Sequence, residues 1–149
     1  ELSGRQEIFG SLPEILKLCK DIDGVVPVIN FAHYHARENG KLKEPKDFDE
    51  LFDAVWEYAD GELYTHFSGV EHEGGNEKRY TSIKKGDLRF EPLAEVIVDR
   101  NQPVTIISGS PLLEHDAMYM KVILERVLAK KVSKEAKNNN SKKEKAGSR

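Results

Sequence analysis

Three side chains set the chemistry for which this sequence can be read: the carboxylate of Glu1 and the imidazoles of His33 and His66. Asn30 and His33 follow the apolar run Val25 to Ile29, His66 closes Glu62 to Phe67, and Ser108-Gly109-Ser110 ends the run from Val104. A carboxylate and two imidazoles at strand ends form a ligand set for zinc, manganese or iron, because imidazole nitrogen favours transition metals over calcium or magnesium. The other histidines read differently. His35 continues a polar loop, His72 lies in the loop Glu71-His72-Glu73, and His115 stands in the first turn of a helix at the surface. Cys19, the one cysteine, lies beside Leu16 and Leu18 and reads as a small core residue.

The elements that position these groups alternate. Ser11-Leu12-Pro13-Glu14 is a capping box opening a helix with Leu12, Ile15, Leu16, Leu18 and Cys19 on its apolar face. Val25 to Phe31 is a β-branched run of the kind buried on both faces of a parallel sheet. Asp47-Phe48-Asp49-Glu50 opens a second helix, Glu62 to Phe67 is a strand, and a polar loop runs through Gly74-Gly75. A third helix starts at Glu91-Pro92, Val104 to Ser108 is a strand, and a last helix opens at Ser110-Pro111. The order α-β-α-β-α-β-α implies a parallel sheet. The first helix lacks the strand that the pattern puts before it, and the chain begins without Met. These features predict the C-terminal half of a (β/α)8 TIM barrel, about four βα units, with an N-terminal half upstream. The alternative is an open flavodoxin-like sheet.

The 149 residues, 38% apolar and 33% charged, suit about one domain. The formal charge of −3 hides an asymmetry, since residues 133–149 carry six basic side chains against Glu135 and Glu144. That leaves residues 1–132, the expected half-barrel, at −7 and without a bulk basic field for nucleic acid, so any DNA contact must be local. Residues 133–149, rich in Lys, Asn and Ser, are expected to be a disordered tail. No apolar run reaches the length of a membrane span, and the first residues lack a signal-peptide layout; the expected location is cytoplasmic.

Several segments together resemble the endonuclease IV family, the family 2 apurinic/apyrimidinic endonucleases within the xylose-isomerase-like TIM barrels, and most of all its archaeal-type members. Glu1-Leu2-Ser3-Gly4 is similar to the family's Glu-x-x-Gly, Ile29-Asn30-Phe31-Ala32-His33 to its Asp-x-x-His, and Thr65-His66-Phe67-Ser68 to its seventh-strand histidine. Gly86-Asp87-Leu88-Arg89-Phe90-Glu91-Pro92-Leu93 resembles the opening of its seventh helix, and Ile106-Ile107-Ser108-Gly109-Ser110-Pro111 its eighth-strand Glu-(Thr/Ser)-Pro. The resemblance implies a DNA-repair hydrolase that cleaves the phosphodiester at abasic sites with up to three metal ions, usually zinc. It implies catalytic and metal-binding roles for Glu1, His33 and His66.

The match departs from the family in ways that matter electrostatically. Asn30 stands for Asp, Lys78 and Tyr80 stand for the Asp-x-His pair, and Gly109 stands for the last Glu. With three carboxylates and an imidazole replaced, repulsion among divalent ions is no longer balanced, so fewer than three are expected, zinc or alternatively manganese. Asn30, Lys78, Arg79 and Tyr80 are then candidates for binding substrate, the two cations through its phosphate. Two further readings use the same residues: an isomerase or epimerase of a small sugar or sugar phosphate, and a non-catalytic ligand-binding barrel.

Overall fold

A computed structural model describes residues 1–146. The chain forms α1 (Leu12–Asp21), β1 (Val28–Asn30), α2 (Phe31–Arg37), α3 (Pro45–Trp56) and β2 (Leu63–Phe67). It continues through β3 (Gly69–Glu73), β4 (Asn76–Thr81), α4 (Glu91–Arg100), β5 (Val104–Ser108) and α5 (Glu114–Ala146). Local chemistry sets the boundaries. The Glu14 carboxylate accepts from the backbone of Gly10 and Ser11 at the start of α1, and Asp47 accepts from Lys43 and Glu44 at the start of α3. Asn101, in the left-handed region at φ 50°, ends α4.

Strands β1, β2 and β5 form a parallel sheet in that order. The register sets Asn30 beside His66 and Phe67 beside Ser108, which brings the polar strand ends to one edge. One face of the sheet carries the core. Leu63, Thr65 and Phe67 of β2 are buried there, and Phe67 packs edge-on to Phe90 at 5.0 Å and against Phe31 at 6.1 Å. Phe31 in turn meets Phe48 and Phe52 of α3. The intervening residues, Tyr64 and His66, face the other side, where Ile107 is also exposed.

This is a small α/β fold, and it corrects the expected half of a TIM barrel. Among the described residues three parallel strands are present rather than four βα units, and the chain after β2 turns into an antiparallel hairpin, β3–β4, before it reaches α4. Gly74 and Gly75, both at positive φ, reverse the chain there, and the antiparallel pair forms a separate two-stranded sheet. The flavodoxin-like alternative fails too. Its strand order reverses at a switch point, whereas β1-β2-β5 runs in one direction.

Three smaller differences follow. The run expected as one strand from Val25 to Phe31 pairs only over Val28–Asn30, and Phe31 onward is helix because Asn30 caps it by accepting from His33 N. Residues 133–149 are expected to be disordered; of these, 133–146 continue α5 as helix, with exposed side chains from Ser133 through Lys143, and 147–149 lie outside the described residues. The polar loop around Gly74-Gly75 is the β3–β4 hairpin.

Candidate functional site

Five residues singled out in the sequence meet at the C-terminal edge of the parallel sheet. Asn30, at the end of β1, gives one amide hydrogen to Glu1 Oε1 at 2.7 Å and the other to the Tyr80 hydroxyl at 2.7 Å. Its oxygen is committed to His33 N, so the amide orientation is determined by its partners. The Tyr80 hydroxyl lies 2.8 Å from His33 Nε2, and His66 Nδ1 lies 3.3 Å from Glu1 Oε1. The result is a chain of contacts running His66, Glu1, Asn30, Tyr80, His33.

The tautomer of His33 follows from its neighbours. Its Nδ1 sits 2.7 Å from the Leu2 carbonyl, which can only accept, so Nδ1 carries a hydrogen and, in the neutral ring, Nε2 keeps its lone pair. That lone pair faces the Tyr80 hydroxyl and also Glu77 Oε2 at 2.9 Å. Burial, reinforced by the negative charges of Glu77 and Glu1 and partly offset by the Asn30 hydrogen bond, pushes the Tyr80 hydroxyl up to about 12. Tyr80 is therefore a neutral hydroxyl at physiological pH.

Glu77 is the residue that the sequence reading missed, and a β-bulge is the reason. Strict alternation along β4 pairs Lys78 with Tyr80 on one face, but Glu71 opposes Arg79 while His72 opposes Glu77, leaving Lys78 as the extra residue. The bulge turns Glu77 inward beside Tyr80 and sends Lys78 and Arg79 out. Both cations, expected at the substrate, are exposed instead. Lys78 pairs with Glu73, and Arg79 with Glu71 at 2.6 Å. The only advance signal was the pair Gly74-Gly75, which announces a hairpin but not its register.

Glycines make the close packing possible. A Cβ on Gly4 would press into Glu77 and into His33 Cδ2, and one on Gly109 would come to 3.3 Å from the Tyr80 ring. The space that a longer side chain at position 109 would need is thus taken by Tyr80.

A second polar cluster joins α2, β3 and the segment before α4. His35, which is fully buried rather than on a loop, has Nε2 3.1 Å from Asp87 Oδ1, and His72 Nε2 is 3.1 Å from both Asp87 oxygens. Burial disfavours the charged form of His35 and pulls its pKa below the ordinary value, against the pull of Asp87. Burial alone would raise the Asp87 carboxyl, but the His72 hydrogen bond and His35 hold it below the usual range. The three side chains offer ligand atoms within 4.8 Å of one another. Even so, the trio does not suit a metal. His35 Nδ1 accepts the Leu42 N–H at 3.1 Å, so the neutral ring carries its hydrogen on Nε2, the atom a metal would need bare.

No family model matches this chain, and no solved structure matches it. It is 28% identical over 124 residues to an uncharacterised protein, MJ0133, of Methanocaldococcus jannaschii. The match covers 80% of this chain but 45% of that relative, so the chain spans less than half of the relative's length. No helix among the described residues is long and apolar enough to cross a membrane.

Proposed function

We propose that this site belongs to a metal-dependent phosphodiester hydrolase that acts on abasic DNA, with fewer than three metal ions per chain. The observation that carries the reading is the pairing of His33 Nε2 with Glu77 Oε2 at 2.9 Å. With His33 neutral both atoms present lone pairs, so the contact calls for a positive charge between them, either a proton or a metal cation. The residue types are those a transition ion such as zinc or manganese takes, imidazole and carboxylate in two close pairs, His33 with Glu77 and Glu1 with His66. The Nδ1–H of His33 held by a backbone carbonyl is the arrangement that orients a metal-binding imidazole. A bound ion would supply a hydroxide nucleophile and neutralise charge on the phosphate. The chain's own neutral groups, the Asn30 amide and the Tyr80 hydroxyl, would hold Glu1 and His33 in place at the centre of the cluster.

Elemental analysis of dialysed full-length protein tests this reading. One or two ions per chain are expected, and His66→Ala should lose metal and cleavage of an abasic duplex together. Three tightly held zincs, or none, would overturn it.

A second reading is supported by the outward pairing of Lys78 and Arg79, which removes the two cations expected to hold phosphate. On that reading the substrate is a small sugar or sugar phosphate handled by an isomerase or epimerase. The salt dependence of DNA affinity separates the two, because a protein bound to phosphates loses affinity steeply as salt rises.

A further inference from the structure

The loop that carries Glu1 and Leu2 has no regular structure between residues 1 and 10, yet it sets two atoms of the site: the Glu1 carboxylate and the Leu2 carbonyl that determines the His33 tautomer. What holds this loop is a cation inside it. The guanidinium of Arg37, at the last turn of α2, directs Nη1 to the carbonyls of Arg5 at 2.6 Å and Ile8 at 2.9 Å, with Ser3 O at 3.4 Å, and Nη2 to Gln6 O at 3.2 Å. No carboxylate lies within ion-pair distance of Arg37 among the described residues. Backbone carbonyls surround an arginine here, where a carboxylate would be the usual partner.

Gln6 extends the same connection to the hairpin. Its amide nitrogen donates to Arg37 O at 2.6 Å and to Gly75 O at 3.2 Å, and its backbone N–H donates to Asn76 Oδ1 at 2.8 Å. Beside it, Glu77 N donates to Gly4 O at 2.7 Å. Gly75 has a positive φ of 78°, which favours glycine, and a Cβ there would stand 2.7 Å from that Gln6 nitrogen and displace it. Two segments that each deliver a carboxylate, Glu1 and Glu77, are thus tied to one another and to α2, four residues beyond His33.

We propose that Arg37 is a positioning residue for the site, with Gln6 as its link to the hairpin. The planar fork of the guanidinium spans several carbonyls at once, which a lysine ammonium on a longer, flexible stem does not reproduce. By holding the loop, Arg37 places the Leu2 carbonyl on His33 Nδ1 and the Glu1 carboxylate beside Asn30 and His66. Its effect on metal binding rests on the hydrolase reading above; its effect on the tautomer of His33 does not.

The test uses the full chain as Arg37→Lys and Arg37→Ala, with two readouts. The first is the tautomer of His33, read from long-range proton–nitrogen NMR of the imidazole. The second is affinity for cobalt(II), read from its visible absorption. Both variants should lose the single Nδ1–H form and bind cobalt about ten-fold or more weakly. Millimolar guanidinium should restore Arg37→Ala, while sodium chloride at equal ionic strength should not. If Arg37→Ala does not fold by circular dichroism, Gln6→Ala takes its place and should loosen the tautomer in the same way. A wild-type tautomer in Arg37→Lys or in folded Gln6→Ala overturns the proposal, as does a folded Arg37→Ala that guanidinium leaves unchanged. Wild-type protein that binds no cobalt overturns the metal reading alone, since the NMR readout still decides the role of Arg37.

Discussion

The Tyr80 hydroxyl accepts from Asn30 and lies 2.8 Å from His33 Nε2, and burial beside two carboxylates keeps it protonated up to about pH 12. An unfolded chain releases that proton near pH 10, so between the two values the folded state holds more protons. Stability from this group is therefore complete below pH 10 and is lost as the pH rises through about 12. Tyr80→Phe should remove the last tyrosinate step in alkaline absorbance and flatten the fall of the urea midpoint above pH 10; an unchanged alkaline titration would refute the assignment. Below neutrality His35 acts in the opposite direction. Its lowered pKa means that stability is present above pH 6.5 and is lost as the pH falls through the folded value. Asp87→Asn replaces the carboxylate that faces the buried His35 Nε2 with a neutral amide and should cost about 1–3 kcal/mol in chemical denaturation. A cost near zero would show that the pair is incidental.

At the scale of elements, β2 and β4 carry opposite lessons. Phe67 is fully buried between Phe31 and Phe90, and Phe67→Ala should cost about 3–5 kcal/mol through lost packing and the cavity left behind. Lys78, on the outer side of the bulge, pairs with Glu73 in full solvent, and Lys78→Ala should change stability by less than about 0.5 kcal/mol. Comparing the two urea midpoints checks both; a large loss in Lys78→Ala would place that side chain back in the site. The role of Phe67 was legible in the apolar spacing of β2. The outward turn of Lys78 and the inward turn of Glu77 were not, because a bulge is decided by which hydrogen bonds two strands can make with one another, and one strand's residue pattern does not contain that information.

For the whole molecule, the exposed face of the sheet is the dominant feature. Parallel sheets are stable when both faces are covered, yet Tyr64 and Ile107, at 45% and 52% exposure, stand on a face opposite the phenylalanine core. The isolated chain should therefore self-associate in sedimentation experiments, and Ile107→Lys should shift it toward monomer while leaving the melt cooperative. A wild-type chain that stays monomeric at all concentrations would show that the face tolerates water.

Several features follow from short-range chemistry and were present in the order of residues alone. Helix starts at Ser11 and Pro92, the end of β1 at Asn30 and the strand that carries His66 depend on capping and apolar spacing, whereas the meeting of Glu1, on an irregular loop, and Tyr80, on an antiparallel strand, with Asn30, His33 and His66 does not. Only the tertiary structure decided that the sheet stops at three parallel strands, that an antiparallel hairpin interrupts the alternation, and that His35 is buried against Asp87. Helix and strand signals describe how a segment meets its neighbours in the chain. The number of strands in a sheet, the register of a hairpin and the partner of a buried imidazole depend on contacts between residues tens of positions apart, where each backbone and side-chain donor must find an acceptor that local spacing does not specify.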